Sequence, residues 1–165
     1  MKVALSVRDF LDRAETVYPD RVAVVDEPDQ PAAPLGDLTY RQLAERARAQ
    51  AAGLDRLGVG PGERVAIVSH NAGRLLSGFW GVSGWGRIYV PINFRLAHEE
   101  IAYIVEHCGA SVLLYDPEVA DVVRGIDVEH RAQLGSADEE ALFDWGSEPA
   151  PWVPDEEATA TINYT

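Results

Sequence analysis

Hydrophobic and polar residues alternate along this chain with two different periods. In residues 38–57 the apolar residues recur every three or four positions, which predicts an amphipathic helix. Its apolar positions are Leu43, Ala47, Ala51, Leu54 and Leu57. Residues 64–70 instead contain the unbroken apolar run Val-Ala-Ile-Val, which is typical of a strand buried on both faces of a parallel sheet.

The rest of the chain repeats these two patterns in turn. Further helices are predicted over residues 7–19, 72–86, 96–109 and 117–125, and strands over 21–27, 87–93, 110–116 and 158–165. Strands that alternate with helices predict an α/β domain with a mostly parallel sheet flanked by helices. From residue 126 to 157 the pattern weakens. Within it, residues 146–157 contain three prolines and a run of acidic residues, which predicts an irregular segment on the surface.

Particular residues at the ends and faces of these elements can be assigned local roles. Thr39 and Gln42 have the spacing of a capping box at a helix start. Asn71 is placed to cap the helix of residues 72–86. In the first helix, Phe10 and Leu11 are expected to face the core.

Composition narrows the possible partners. Of the 165 residues 47% are apolar and 25% are charged, which is typical of a folded soluble chain of one domain's length. The net charge of −13 and the single lysine, Lys2, leave no basic cluster, so nucleic acid is excluded as a partner. A local arginine or a helix N-terminus remains suited to a small anion.

Cysteine count and hydropathy bear on compartment. Cys108 is the only cysteine, which excludes an intrachain disulfide and a cysteine metal site. The first fifteen residues carry too many charges for a signal peptide, and no apolar stretch is long enough for a membrane span. A cytoplasmic location is therefore expected.

Common catalytic motifs are missing from the sequence. There is no G-x-G-x-x-G after a strand, no G-x-x-x-x-G-K-[ST] and no G-x-S-x-G. The histidines are not spaced so that they share one helix face as metal ligands; they are His70, His98, His107 and His130. The residues alone therefore predict no catalytic group and no metal site.

Three stretches carry a resemblance to a known family. They are residues 38–71, residues 86–116, which include VPINFRL before a glutamate-rich helix, and ATINYT at 160–165. Together they resemble the N-terminal part of the adenylate-forming enzymes, which include acyl-CoA synthetases, firefly luciferase and peptide-synthetase adenylation domains. The stretch VPINFRL most resembles the fatty-acyl and aryl CoA ligases. In the family, the strand like ATINYT leads into a phosphate loop rich in glycine and threonine.

The resemblance implies an activity for a longer enzyme. Residues 1–165 would be the N-terminal portion of its AMP-binding domain, ending where the phosphate loop starts. Such enzymes join a carboxylic acid to ATP, giving an acyl-adenylate and pyrophosphate with the help of Mg²⁺, and then transfer the acyl group to CoA. The family's metal-binding glutamate, ribose-binding aspartate and catalytic lysine all follow that loop. The 165 residues are therefore not expected to be active without the remainder of the enzyme.

Two residues are site candidates through the resemblance. Thr165 matches the first residue of the phosphate loop and is expected to contact ATP phosphate; the alternative is an exposed chain end. Arg95 matches a position where CoA ligases place a basic residue against the nucleotide phosphate of CoA, which suits the planar guanidinium. Its alternative is a surface ion pair near a helix start.

Other interpretations remain open at this point. The aromatic residues Phe79, Trp80 and Trp85 fit core packing better than an acyl pocket. The chain could be a truncated relative that acts as a non-catalytic interaction module. It could also belong to a peptide-synthetase adenylation domain, where a carrier-protein thiol replaces CoA, although Arg95 argues mildly against this. The identity of the carboxylic acid cannot be read from these residues.

Overall fold

A computed structural model describes residues 4–165. The helices are α1 (Val7–Val17), α2 (Tyr40–Arg56), α3 (Gly73–Ser83), α4 (His98–Cys108) and the short α5 (Ala137–Glu140). The strands are β1 (Val22–Val24), β2 (Leu38–Thr39), β3 (Arg64–Ser69), β4 (Ile88–Asn93), β5 (Ala110–Tyr115) and β6 (His130–Gln133).

The main sheet has four strands in the order β4-β3-β5-β6, and every neighbouring pair is parallel. At its centre Val65 of β3 lies opposite Tyr89 of β4 on one side and Val112 of β5 on the other. Strands β1 and β2 form a separate antiparallel pair. The predicted α/β class with a mostly parallel sheet is confirmed.

The apolar run of β3 contributes to both faces of the sheet. Val65 and Ile67 pack with Val82 of α3 on one face, while Ala66 packs with Ile101 of α4 on the other. All of these residues are fully buried. An unbroken apolar strand is stable only when helices cover both of its faces, and α3 and α4 provide that cover.

Helix α2 begins and packs as its sequence requires. The Thr39 hydroxyl accepts the N–H of Gln42 at 3.3 Å, and the Gln42 side chain accepts the N–H of Thr39 at 2.8 Å, so the predicted capping box is confirmed. Further along, Gly53 lies against the backbone of Leu142, where an added Cβ would come within 1.8 Å of the carbonyl oxygen. Only glycine permits this close approach.

A buried ionic cluster joins α5 to α2 and α3. The two carboxylate oxygens of Glu139 accept hydrogen bonds from Arg46 and Arg74, each at 2.8 Å, and the N–H of Gly135 donates to the same carboxylate at 2.6 Å. Both arginine side chains are only about one-tenth exposed. The Arg46 guanidinium also lies 4.3 Å from the Phe143 ring centroid. Because the Glu139 carboxylate accepts hydrogen bonds from both guanidinium groups, the cluster is tolerated inside the fold.

Some predictions about individual elements were wrong. Phe10 is 68% exposed, whereas Leu11 is 3% exposed, so α1 buries a narrower face than expected. The helix predicted over 117–125 is a single 3₁₀ turn, Pro117–Val119. Residues 126–145, where the pattern gave no element, contain β6 and α5. The irregular segment predicted over residues 146–157 is confirmed, since it contains no helix or strand.

Candidate functional site

The carboxyl edge of the parallel sheet contains a point where the connections diverge. From β3 the chain passes through α3 to β4 on one side, and then returns through α4 to β5 on the other side of β3. At this point the N–H of His70 donates to the Asp116 carboxylate at 2.7 Å, and the N–H of Asp116 donates to the Val68 carbonyl at 2.9 Å. Open α/β sheets bind their ligands at such a place.

A stack of side chains extends outward from this point. The rings of His70 and Phe94 are stacked with centroids 3.7 Å apart, and His70 Nε2 lies 2.5 Å from Glu118 Oε1. The Arg95 guanidinium lies over the Phe94 ring, 5.0 Å from its centroid. The backbone N–H of Arg95 donates to Asn93 Oδ1 at 3.0 Å. Arg95 is exposed, and within residues 4–165 its guanidinium forms no ion pair.

A cavity of about 500 Å³ lies beside this stack. It is bordered by His70, Phe94 and Arg95, and also by the carboxylates Glu27 and Asp29. Acidic groups in the cavity disfavour an anion inside it. An anion bound by Arg95 is therefore better placed on the exposed side of the guanidinium.

A larger and more apolar cleft of about 880 Å³ opens next to it. Its lining comes from the β1 strand and following loop, from α3, from β4 and from the last segment of the chain, and includes Val25, Leu76, Phe79, Pro91 and Thr161. Trp80 and Trp85 do not line it; they pack in the core with α1 and α2, as predicted. Phe79 alone of the three aromatic residues reaches the cleft.

Asp26 lies in the wall of the larger cleft and holds the start of α3. Asp26 is 7% exposed, and its carboxylate accepts the backbone N–H groups of Gly73 at 2.6 Å, Leu35 at 2.7 Å and Glu27 at 3.0 Å. Burial by itself would raise the pKa of Asp26, but these donors outweigh it and hold the pKa below its ordinary value. The carboxylate is therefore charged at neutral pH.

The predicted cap of α3 was wrong. The helix begins after Ala72, whose side chain makes no capping bond, and Asn71 is exposed and borders both cavities. Asp26, 47 residues upstream of Gly73, takes the place of a local cap by accepting the N–H of Gly73. A Cβ added at Gly73 would lie 2.9 Å from Cγ of Asp26. The periodic pattern gave no sign of this residue.

Residues 158–165, predicted as a strand, attach to the free edge of β4. Thr161 forms a single parallel bridge with Tyr89, whose N–H donates to the Ala160 carbonyl and whose carbonyl accepts the N–H of Ile162, both at 3.0 Å. The Ser83 hydroxyl also donates to the Ala160 carbonyl at 2.8 Å. The segment therefore pairs as a strand over a shorter length than predicted.

Thr165 itself is exposed and borders neither cavity. Just before it, Tyr164 packs against the α4 side of the sheet. Thr165 therefore does not share a cavity with Arg95, which borders the smaller one.

Two features are absent from the described residues, 4–165. They contain no group of three or more histidine, cysteine, aspartate or glutamate side chains placed to hold a metal ion. None of their helices is both long and apolar enough to cross a membrane.

Comparison with known families now identifies the chain's relatives. The model of the family described as "AMP-binding enzyme" matches residues 11–165. The chain belongs to this family. It is similar to the long-chain-fatty-acid–CoA ligase of Thermus thermophilus, with 34% identity over 100% of this chain and 32% of the ligase.

A solved structure agrees with this assignment. The fold is similar to that of a fatty acyl CoA synthetase from Mycobacterium tuberculosis, with a TM-score of 0.80, 28% identity, and coverage of 97% of this chain and 32% of that one. The chain is also similar to bacitracin synthase 1 of Bacillus licheniformis, with 34% identity over 78% of this chain and 2% of the synthase. The chain thus spans about a third, or less, of the length of these relatives.

Proposed function

We propose that residues 1–165 form the N-terminal portion of the AMP-binding domain of an ATP-dependent acyl-CoA synthetase. The enzyme would convert a carboxylic acid and ATP into an acyl-adenylate and pyrophosphate, and the CoA thiol would then displace AMP to form a thioester. The observation that carries the proposal is the parallel bridge from Thr161 to Tyr89 in a chain of this family. The activity requires the remainder of the enzyme, and a cytoplasmic location stays a prediction.

The bridge supports the placement of the ATP site. The bridge pairs the last segment parallel to β4, so the segment runs in the direction of the carboxyl edge of the sheet, and its backbone pairing ends at Ile162. Thr165, three residues further on, is exposed. A phosphate loop that begins at Thr165 would open toward that edge, where backbone N–H groups and hydroxyls contact phosphate.

Arg95 and Thr165 suit two of the three proposed ligands, CoA and ATP, whereas no residue set suits Mg²⁺ within residues 4–165. Arg95 fits the nucleotide phosphate of CoA, because it is exposed and its guanidinium is held over Phe94 without a carboxylate partner among residues 4–165. Thr165 is exposed, and its hydroxyl and N–H would suit an ATP phosphate. The same described residues offer no ligand set for Mg²⁺, so no step through the metal is assigned to them.

The activity is tested with protein expressed from its complete coding sequence. Pyrophosphate release is measured with ATP, Mg²⁺ and a panel of fatty and aromatic acids, with and without CoA. We expect release that depends on an acid, and a thioester once CoA is added. If no acid of the panel gives pyrophosphate, the synthetase proposal fails, and an interaction module becomes the better interpretation. The isolated 165 residues should release none.

The role of Arg95 is tested by Arg95→Ala in the same protein. A single exposed charge-assisted contact is worth about 1 kcal/mol, so the KM for CoA should rise about fivefold while adenylate formation changes less than twofold. With dephospho-CoA, which lacks the 3′-phosphate, the variant and the unmodified enzyme should have similar KM values. Arg13→Ala, at another exposed arginine, is the control. An unchanged CoA dependence would remove Arg95 from the site.

Similarity to bacitracin synthase 1 supports a second candidate, a peptide-synthetase adenylation domain. In that case the acceptor would be a carrier-protein thiol. The same assay separates the two candidates, since adenylate would form with an acid but free CoA would give no thioester.

A further inference from the structure

A contact between α4 and the end of the chain lies outside the predicted ligand contacts. The Nδ1 atom of His107 and the hydroxyl of Tyr164 lie 2.7 Å apart and share a hydrogen bond. The two residues are 57 positions apart in sequence. Tyr164 immediately precedes Thr165, so whatever holds its side chain also limits where the next residue can lie.

The His107 ring is oriented by its own helix. It stacks on Tyr103, one turn earlier, with centroids 5.3 Å apart and an angle of 20° between the rings. The Tyr164 ring meets it edge-on, with centroids 5.8 Å apart and an angle of 83°. His107 is thus supported on one side by its helix and presents its nitrogen to Tyr164.

The rest of the segment has few other attachments. Its backbone pairs with β4 only around Thr161, and Ile162 is the last residue whose N–H is bound to the sheet. Between Ile162 and Thr165, the Tyr164 side chain supplies the link back to the fold, through apolar packing and its bond to His107. Loss of that bond would free the end of the segment while leaving the buried core intact, because His107 is exposed.

We propose that His107 is a positioning residue, which through Tyr164 holds the start of the phosphate loop in the place where it binds ATP. This inference rests on the proposed synthetase function. Binding ATP to an unanchored loop must also order it, and that ordering lowers affinity. Loss of the bond should therefore raise the KM for ATP and leave the KM for CoA unchanged.

The test uses protein expressed from its complete coding sequence and compares His107→Ala, Tyr164→Phe and the double variant. Each single variant should raise the KM for ATP about threefold to tenfold, the range expected for one hydrogen bond. The double variant should be no worse than the worse single one, because both remove the same bond. The KM for CoA, kcat and the melting temperature should stay close to those of the unmodified enzyme.

Three further variants make the result specific. His107→Asn keeps a polar atom where Nδ1 lies and should restore the KM for ATP to within twofold. Glu106→Ala, at an exposed neighbour on α4, and Tyr103→Phe, which keeps the stacked ring, should change nothing. Any of three results would overturn the proposal. They are a normal KM for ATP in both single variants, additive effects in the double variant, and a parallel rise in the KM for CoA.

Hydrogen exchange separates this proposal from the synthetase assignment. Residues 158–165 should exchange faster in His107→Ala and Tyr164→Phe than in Glu106→Ala. An enzyme that forms no adenylate overturns the synthetase assignment, and with it the ATP role. Exchange then still decides whether the His107–Tyr164 bond anchors the segment. Unchanged exchange in an active enzyme overturns the anchor alone.

Discussion

Replacement of Asp26 by asparagine should destabilise the chain by an amount that can be worked from its contacts. One carboxylate oxygen accepts the N–H groups of Gly73 and Glu27, and the other accepts that of Leu35. If the asparagine oxygen accepts from Gly73 and Glu27, its NH₂ group faces the N–H of Leu35, and two donors that face each other cost about 1–3 kcal/mol. The two remaining hydrogen bonds are weaker because their acceptor is no longer charged. The favourable interaction of the carboxylate with the α3 dipole, worth about 0.3–1 kcal/mol, is also lost. We expect a total loss of about 2–4 kcal/mol.

The measurement is urea unfolding of the purified 165-residue chain at pH 7, followed by the fluorescence of its four tryptophans. Asp29→Asn, at an exposed aspartate in the same loop, should change the free energy of unfolding by less than about 0.5 kcal/mol. The pKa of Asp26 is lowered in the folded chain, so its stabilisation is complete above the unfolded pKa of about 3.9. It is lost only as the pH falls through the lower folded pKa.

The gap between the unmodified chain and Asp26→Asn should therefore be the same at pH 5 as at pH 7, and should narrow below about pH 4. A gap that has already closed at pH 5 would mean that the carboxyl has a raised pKa, as burial alone would give it. Equal stability of Asp26→Asn and Asp29→Asn at pH 7 would show that the three hydrogen bonds contribute little. Either result would refute the reasoning.

Two further substitutions test how the α5 region is held. Glu139→Gln should lower the free energy of unfolding by about 3–5 kcal/mol, since it leaves two buried arginines without a carboxylate, while the exposed Glu45→Gln should have little effect. Gly53→Ala should cost more than about 3 kcal/mol, because its methyl group would overlap the Leu142 carbonyl, whereas Gly60→Ala meets its nearest atom only at 3.6 Å. Urea unfolding measures the loss in each variant. A loss below about 1 kcal/mol in Glu139→Gln or in Gly53→Ala would contradict the prediction for that variant.

The elements that sequence reasoning predicted well are those whose stability comes from a regular buried face. β3 is apolar at every position that the two covering helices require, and α4 presents Ile101 and Ile104 at helical spacing. β6 was missed because its sequence, HRAQ, has one apolar residue, Ala132, and depends on pairing with β5 rather than on its own pattern. Phe10 was wrongly predicted to face the core. Helix periodicity indicates which side of a helix is apolar, and it does not indicate how much of that side the neighbouring elements will cover.

The site was less predictable than the fold. Arg95 and Thr165 were found only through a resemblance between short stretches, and their roles stay predictions. The link between His107 and Tyr164 joins residues that no periodic pattern relates, and so does the carboxylate of Asp26 with its three donors. Such contacts depend on which segments the finished fold brings together, and a single sequence carries little trace of that.

The shape of the apolar cleft depends on contacts between residues that are far apart in sequence. Its central wall is α3, and each end of that helix is held from far away in sequence. Asp26 binds the first N–H group, and the hydroxyl of Ser83, at the last residue, donates to the Ala160 carbonyl. Since Ala160 also pairs with β4, the cleft takes its shape only when the first loop and the last segment are both in place. A change at either anchor should therefore alter the cleft while β3, β4 and β5 keep their buried core.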